Sequence, residues 1–136
     1  MGQRVEVRWQ GEGLHFKGTS ADGTVEMASG RDGEGAGLRP MQTLAIALGG
    51  CIGMDVVSIL ERMRQPVEGL WIEVEGQQAE EYPRRYTELT LTYHVRGAVD
   101  ERKLQRAIGL SENKYCSVRA SLAADVRLIS RYDLEA

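Results

Sequence analysis

Met41-Gln-Thr-Leu-Ala-Ile-Ala-Leu-Gly-Gly-Cys51-Ile-Gly-Met-Asp-Val-Val-Ser-Ile-Leu60 is the stretch that decides how this chain folds. It predicts a helix from about Pro40 to Arg64, with Pro40 suited to the first helical position. The run is apolar nearly all round through Val57, so the helix should be buried on most sides. Gly49-Gly50 costs about 1 kcal/mol per residue against Ala in a helix, and a pair placed there suggests close approach by another element. The unbroken apolar stretch, Leu44 to Met54, is 11 residues long and is closed by Asp55. A membrane helix needs ~20, so no membrane span is expected. One small sheet can cover only one side of such a helix. A second copy of the chain, sharing the core as a homodimer, is the simplest remedy.

Outward from this helix the pattern changes to alternation. Val5, Val7 and Trp9 alternate with Arg4, Glu6 and Arg8, and Leu14 and Phe16 point in with His15 and Lys17 out. Val25 and Met27 follow Ser20-Ala-Asp-Gly23, a tight-turn signal. Further strands are expected through Leu70-Ile72-Val74, through Leu89-Leu91-Tyr93-Val95, and through Val126-Leu128-Tyr132-Leu134. One face in and one face out is the pattern of an antiparallel sheet covered on one side. A second helix should start at Asp100, a good N-cap, and run to about Lys114. Leu104, Ala107, Ile108 and Ser111 form its inner stripe, while Glu101, Arg102, Gln105 and Glu112 read as a solvated face. The order βββ–α–ββ–α–β places the chain in the α+β class, as a single domain over residues 1–136.

At 136 residues with 42% hydrophobic and 27% charged side chains, the composition fits one globule and excludes a disordered chain. The net charge of −3 leaves no footprint for nucleic acid. No basic segment leads into an apolar one at the N-terminus, so a cytoplasmic protein with reduced thiols is expected.

Cys51 and Cys116 are the two cysteines of the chain, and each is tied to a helix. If the helices bring the sulfurs together, one thiolate can attack an oxidant and the other can resolve the product as a disulfide. Inert buried thiols are the bland alternative. Asp55 lies one turn after Cys51 on the same face. A carboxylate there works against thiolate formation, unless it holds a partner such as an arginine or a backbone group. His15 and His94 complete a formal Cys₂His₂ set, but no two of the four have the spacing of local zinc ligands and both histidines fall on outward faces. No metal or other cofactor is expected. Gly30-Arg-Asp-Gly-Glu-Gly-Ala-Gly37 lacks the Gly-Lys-Ser/Thr ending of a phosphate loop and carries Asp32 and Glu34, so it reads as a surface loop. Arg84-Arg85 reads as a solvated hairpin connection, with a place at a dimer groove as the alternative.

Leu48-Gly-Gly-Cys51 with Met54-Asp-Val-Val-Ser-Ile-Leu60, and Arg106-Ala-Ile-Gly-Leu-Ser-Glu-Asn-Lys-Tyr-Cys116-Ser-Val, resemble the two cysteine motifs of the OsmC/Ohr family. The resemblance spans almost the whole chain, including Glu80-Glu-Tyr-Pro-Arg. It implies an intertwined α+β homodimer, with a long buried central helix and two active sites at the interface. It also implies reduction of organic or inorganic hydroperoxides by a peroxidatic Cys51, with Cys116 resolving and a dithiol reductant reopening the disulfide. The peroxidase branches place a Glu ten residues before the first cysteine, where this chain has Met41 followed by Gln42. They place an Arg on the stretch matching Gly11 to Gly18, where this chain offers only His15 and Lys17, and a Pro after the second cysteine, where it has Ser117. Nothing at those positions lowers a thiol pKa, so weak turnover is expected unless a cation such as Lys17 or a partner-chain arginine substitutes. Two other readings remain beside the peroxidase. One is a non-catalytic binder with a small ligand in the apolar pocket around Cys51, and the other is hydrolytic or acyl-transfer chemistry at Cys51.

Overall fold

Pro40 opens the long helix α1, Pro40–Arg62, at the position the sequence assigns to it. The computed structural model describes residues 2–30 and 35–136. These form β1 (Glu6–Trp9), β2 (Leu14–Thr19), β3 (Thr24–Ser29), α1, β4 (Gly69–Gln78), β5 (Tyr86–Arg96), α2 (Glu101–Leu110), a π turn (Ser111–Tyr115), α3 (Ser117–Ala120) and β6 (Arg127–Glu135). The α+β class is that expected, and so is the order apart from the short α3, which the sequence pattern does not predict. The chain forms two compact units, residues 1–44 and 45–136.

In the first unit, β1, β2 and β3 make an antiparallel sheet in that order. The β2–β3 turn is closed by the Ser20 N–H donating to Gly23 O at 2.9 Å. Leu38 adds a bridge beside Met27. Gly37 is required there, because a Cβ would come within 2.6 Å of the Glu26 carbonyl oxygen. Arg31–Glu34, the centre of the glycine-rich loop with its Asp32 and Glu34, lies outside the described residues. Val5, Val7, Trp9 and Leu14 are exposed rather than turned into a core, because among the described residues of this unit no element covers that part of the sheet. At the start of α1, Gln42 Oε1 accepts from the Arg39 N–H at 2.9 Å, which is one half of a capping box.

In the second unit the sheet order is β4-β5-β6. β4 and β5 pair antiparallel, but β5 and β6 pair parallel, which corrects the all-antiparallel expectation. The reason is the connection: α2, the π turn and α3 lie between β5 and β6, and a helical crossover of that length returns the chain in the same direction. β5 is the centre of this sheet and buries Leu89, Leu91, Tyr93 and Val95.

Helix α1 seats on β4 through two glycines on one face. A Cβ at Gly49 would lie 3.1 Å from Val74, and one at Gly53 would lie 3.2 Å from Ile72. Gly50 has nothing within 4 Å, so the close approach expected of the Gly49-Gly50 pair belongs to Gly49 and Gly53. Leu48, Gly49, Ile52, Val56 and Leu60 are buried, whereas Ile46 and Met54 are exposed. The helix is thus covered on one side within the chain, not all round. It continues in apolar residues past Asp55, and its 23 residues have the length and composition of a membrane span. Its buried stripe packs on a sheet.

Asp100 caps α2, accepting from the Lys103 N–H at 3.1 Å. Leu104, Ala107, Ile108 and Ser111 are all buried, as their spacing predicts.

Candidate functional site: two thiols at a π turn

Cys51 and Asp55 stand one turn apart on α1, and the end of α2 runs past them. There the helix widens by one residue into the π turn Ser111–Tyr115, whose closing bond joins the Cys116 N–H to Ser111 O at 2.8 Å. Such widened turns recur at functional sites. The geometry pairs the two elements twice. Ser111 Oγ donates to Asp55 Oδ2 at 2.8 Å, and the Cys51 thiol lies close enough to Cys116 to raise its pKa. An i, i+4 pair on α1 thereby faces an i, i+5 pair across the π turn. Both cysteines are free thiols, Cys116 buried and Cys51 half-buried.

The partner of Asp55 is the hydroxyl of Ser111, not the arginine or backbone group that its position on a buried helix suggests. Ser111 is fully buried, so its hydroxyl needs an acceptor. This bond occupies one carboxylate oxygen on the side facing the π turn.

Cys116 is also the N-cap of α3. Its sulfur accepts from the Arg119 N–H at 3.2 Å. That bond favours the thiolate, but burial outweighs it, and the neighbouring Cys51 raises the pKa further. The Cys116 thiol is pushed up to about 11.

Glu112 is not part of a solvated face. Its Oε2 accepts from Tyr93 Oη and from Ser130 Oγ, each at 2.5 Å. The π turn is what swings it inward, and a regular helical spacing cannot reveal that. Burial first, and then the bond to Glu112, raise the Tyr93 pKa far above the phenolic range, so Tyr93 remains a donor. Tyr93→Phe should therefore cost about 1–3 kcal/mol of stability, the usual result of removing one partner from a charged hydrogen bond. Urea unfolding measures this, and an unchanged midpoint would show that the Tyr93–Glu112 bond contributes nothing net.

A cavity of about 340 Å³ opens beside this segment, lined by Lys114, Cys116, Arg119, Leu122 and Leu128 among others. Arg119 is the residue that sequence reasoning missed. Its place three residues after Cys116 is the only local signal, and it becomes legible once Cys116 is seen as a cap.

The histidines are less outward than their strands suggest. His94 is half-buried, stacks on Trp71 at 4.5 Å between ring centroids, and meets Glu73 at 2.5 Å. His15 is half-buried beside Glu26, 3.6 Å away. Among the described residues, no group of three or more His, Cys, Asp or Glu side chains converges on a common point. In the β4–β5 connection, Arg85 pairs with Asp125 at 2.6 Å and Arg84 lies over the Tyr82 ring.

A two-thiol site on a long core helix within this α+β fold defines the class, and the chain belongs to the OsmC family. The family model for OsmC-like proteins matches residues 32–130. Protein YhfA of Escherichia coli strain K12 is 37% identical over 134 residues, covering 98% of each chain. Among solved structures, a hypothetical protein from Aquifex aeolicus VF5 superposes with a TM-score of 0.90 at 30% identity, covering 99% of this chain and 97% of that one. The organic hydroperoxide resistance protein OhrB of Bacillus subtilis shares the fold, with a TM-score of 0.66 at 16% identity over 98% of each chain.

Proposed function

We propose that this protein is a thiol-dependent hydroperoxide reductase of the OsmC family, with Cys51 peroxidatic and Cys116 resolving. The observation that carries this reading is the proximity of the two thiols, with Cys51 near enough to shift the Cys116 pKa where the Ser111–Asp55 bond ties α1 to the π turn. The name of the Bacillus neighbour, an organic hydroperoxide resistance protein, suggests the substrate class. The Cys51 thiolate attacks the distal peroxide oxygen and the O–O bond breaks. The alkoxide leaves, takes up a proton as alcohol, and Cys51 becomes a sulfenic acid. Cys116 then attacks that sulfur, water leaves, and a Cys51–Cys116 disulfide forms. A dithiol reductant restores both thiols. Asp55, tied to Ser111, holds α1 and the π turn in register so that the sulfurs stay opposed. The proposed setting is the cytoplasm, where thiols are kept reduced.

A homodimer is part of the proposal. Ile46 and Met54 on α1, and separately Val7 and Trp9 on β1 with Val5 just before it, are large apolar side chains that the single chain leaves exposed. A second copy would cover them.

The test is dimedone trapping in Cys116→Ser after one equivalent of cumene hydroperoxide. The adduct is expected on Cys51, and its absence would overturn the peroxidatic assignment. In the wild-type chain the resolving step has a definite pH dependence. Cys116 must lose its proton to attack, and its pKa is raised to about 11. Below that value its thiolate fraction grows about tenfold per pH unit. The sulfenic acid should therefore be longer-lived at pH 7 than at pH 9, as stopped-flow trapping would measure. A pH-independent lifetime would mean that Cys116 is not the resolving nucleophile.

A second reading, a non-catalytic binder of small ligands, draws on the 340 Å³ cavity beside Cys116. Ligand binding with no hydroperoxide turnover would favour it.

A further inference from the structure

The cavity touches Cys116, but Cys51 is not among the described residues that line it. Its walls carry two cations, Lys114 and Arg119, against one carboxylate, Glu112. Glu112 already accepts from Tyr93 and Ser130. Arg119 is half-buried, and among the described residues its guanidinium meets no carboxylate within ion-pair distance, whereas Arg85 nearby in the same unit is paired with Asp125. Lys114 lies over the Tyr115 ring at 5.2 Å, and no carboxylate among the described residues pairs with it. A half-buried guanidinium without a counter-charge, lining a cavity of mixed polar and apolar walls with more cations than carboxylates, favours an anionic occupant.

We propose that this cavity is the docking site for the reductant, a small anionic thiol such as a mercapto-carboxylate, which attacks Cys116 rather than Cys51 in the oxidised protein. The inference rests on the two-cysteine reading given above. Thiol–disulfide exchange is an in-line displacement, so the attacking sulfur must reach Cys116 from a side that Cys51 does not occupy. Cys116 lines the cavity and Cys51 is not among its described lining residues. In the first step the incoming thiolate bonds to Cys116 Sγ, the Cys51–Cys116 bond breaks, and Cys51 leaves as a thiolate that takes up a proton. In the second step another thiol of the reductant, on the same or a second molecule, attacks the mixed disulfide. Cys116 is released as a thiol and the reductant leaves as its disulfide. Two electrons pass from two thiols to one disulfide.

The experiment starts from the disulfide made with diamide, so that it does not depend on peroxide chemistry. Reduction is followed with mercaptosuccinate and with a neutral thiol of matched thiol pKa, on the wild-type chain and on Arg119→Gln and Lys114→Gln. The wild-type chain should react at least ~10-fold faster with the anionic thiol, an advantage that rising ionic strength erodes. Arg119→Gln should lose most of that advantage and leave the neutral rate within about twofold. Acid quenching and peptide mapping should place the mixed disulfide on Cys116. Equal rates for the two thiols, an anionic advantage that survives Arg119→Gln, a mixed disulfide on Cys51, or failure of diamide to form the disulfide would each overturn the inference. Peroxide inertness of a protein that passes this test would overturn the peroxidase reading alone.

Discussion

Cys51→Ser should bring hydroperoxide consumption down to that of buffer. Serine keeps the size of the site but cannot form a thiolate at neutral pH, and no other thiol is placed to replace it. Cys116 is buried and its pKa is raised to about 11, so it is a poor first nucleophile at pH 7. Cys116→Ser should behave differently. The first equivalent of peroxide should still be consumed, and turnover should then stall at the sulfenic acid unless an external thiol resolves it. The asymmetry between the two variants is the informative result, because two equivalent inert cysteines would give none. Ferrous–xylenol orange assays of residual cumene hydroperoxide measure both. Full activity in Cys51→Ser would remove the peroxidatic role from this residue.

The largest expected loss of stability comes from Ile52→Ala. Ile52 is fully buried and lies between Gly49 and Gly53, the two positions at which α1 comes close to Val74 and Ile72. Removing its side chain leaves a cavity at a seam where the two glycines already bring the helix close to the Val74 and Ile72 side chains. Truncations of this kind cost about 2–5 kcal/mol, against a total of about 5–15 kcal/mol for a domain. Met54→Ala, two residues on and 76% exposed, is the control. In a lone chain it should shift stability by no more than about 0.5 kcal/mol. In a dimer that covers Met54 it should lower the unfolding midpoint in a concentration-dependent way. Chemical denaturation at several protein concentrations reads both. An Ile52→Ala chain as stable as the wild type would mean that α1 does not pack through this face.

What the sequence made legible was local. Alternation located all six strands, Pro40 and Asp100 marked the helix starts, and the spacing of Leu104, Ala107, Ile108 and Ser111 identified the inner stripe of α2. Each of these depends on residues a few positions apart. The parallel pairing of β5 with β6 was not legible, because strand direction follows from where the crossover packs and not from the pattern of either strand. The π turn was not legible either, since it is a one-residue change of register inside an otherwise ordinary helix, and the inward turn of Glu112 follows from it. Gly53 drew no notice beside the more conspicuous Gly49-Gly50 pair, although it shares the contact face with Gly49 and Gly50 does not. At the site, the two cysteines and Asp55 stood out by residue type. Ser111 and Arg119 acquire their roles only from the approach of α1 to the π turn and from the cap at Cys116.

The most direct test of the two-cysteine site is non-reducing peptide mapping after one equivalent of organic hydroperoxide, with no reductant present. The proposal predicts one dominant cross-linked peptide pair that joins Cys51 to Cys116 within a single chain. Two free thiols after the peroxide has been consumed, or cross-links only between chains, would contradict it.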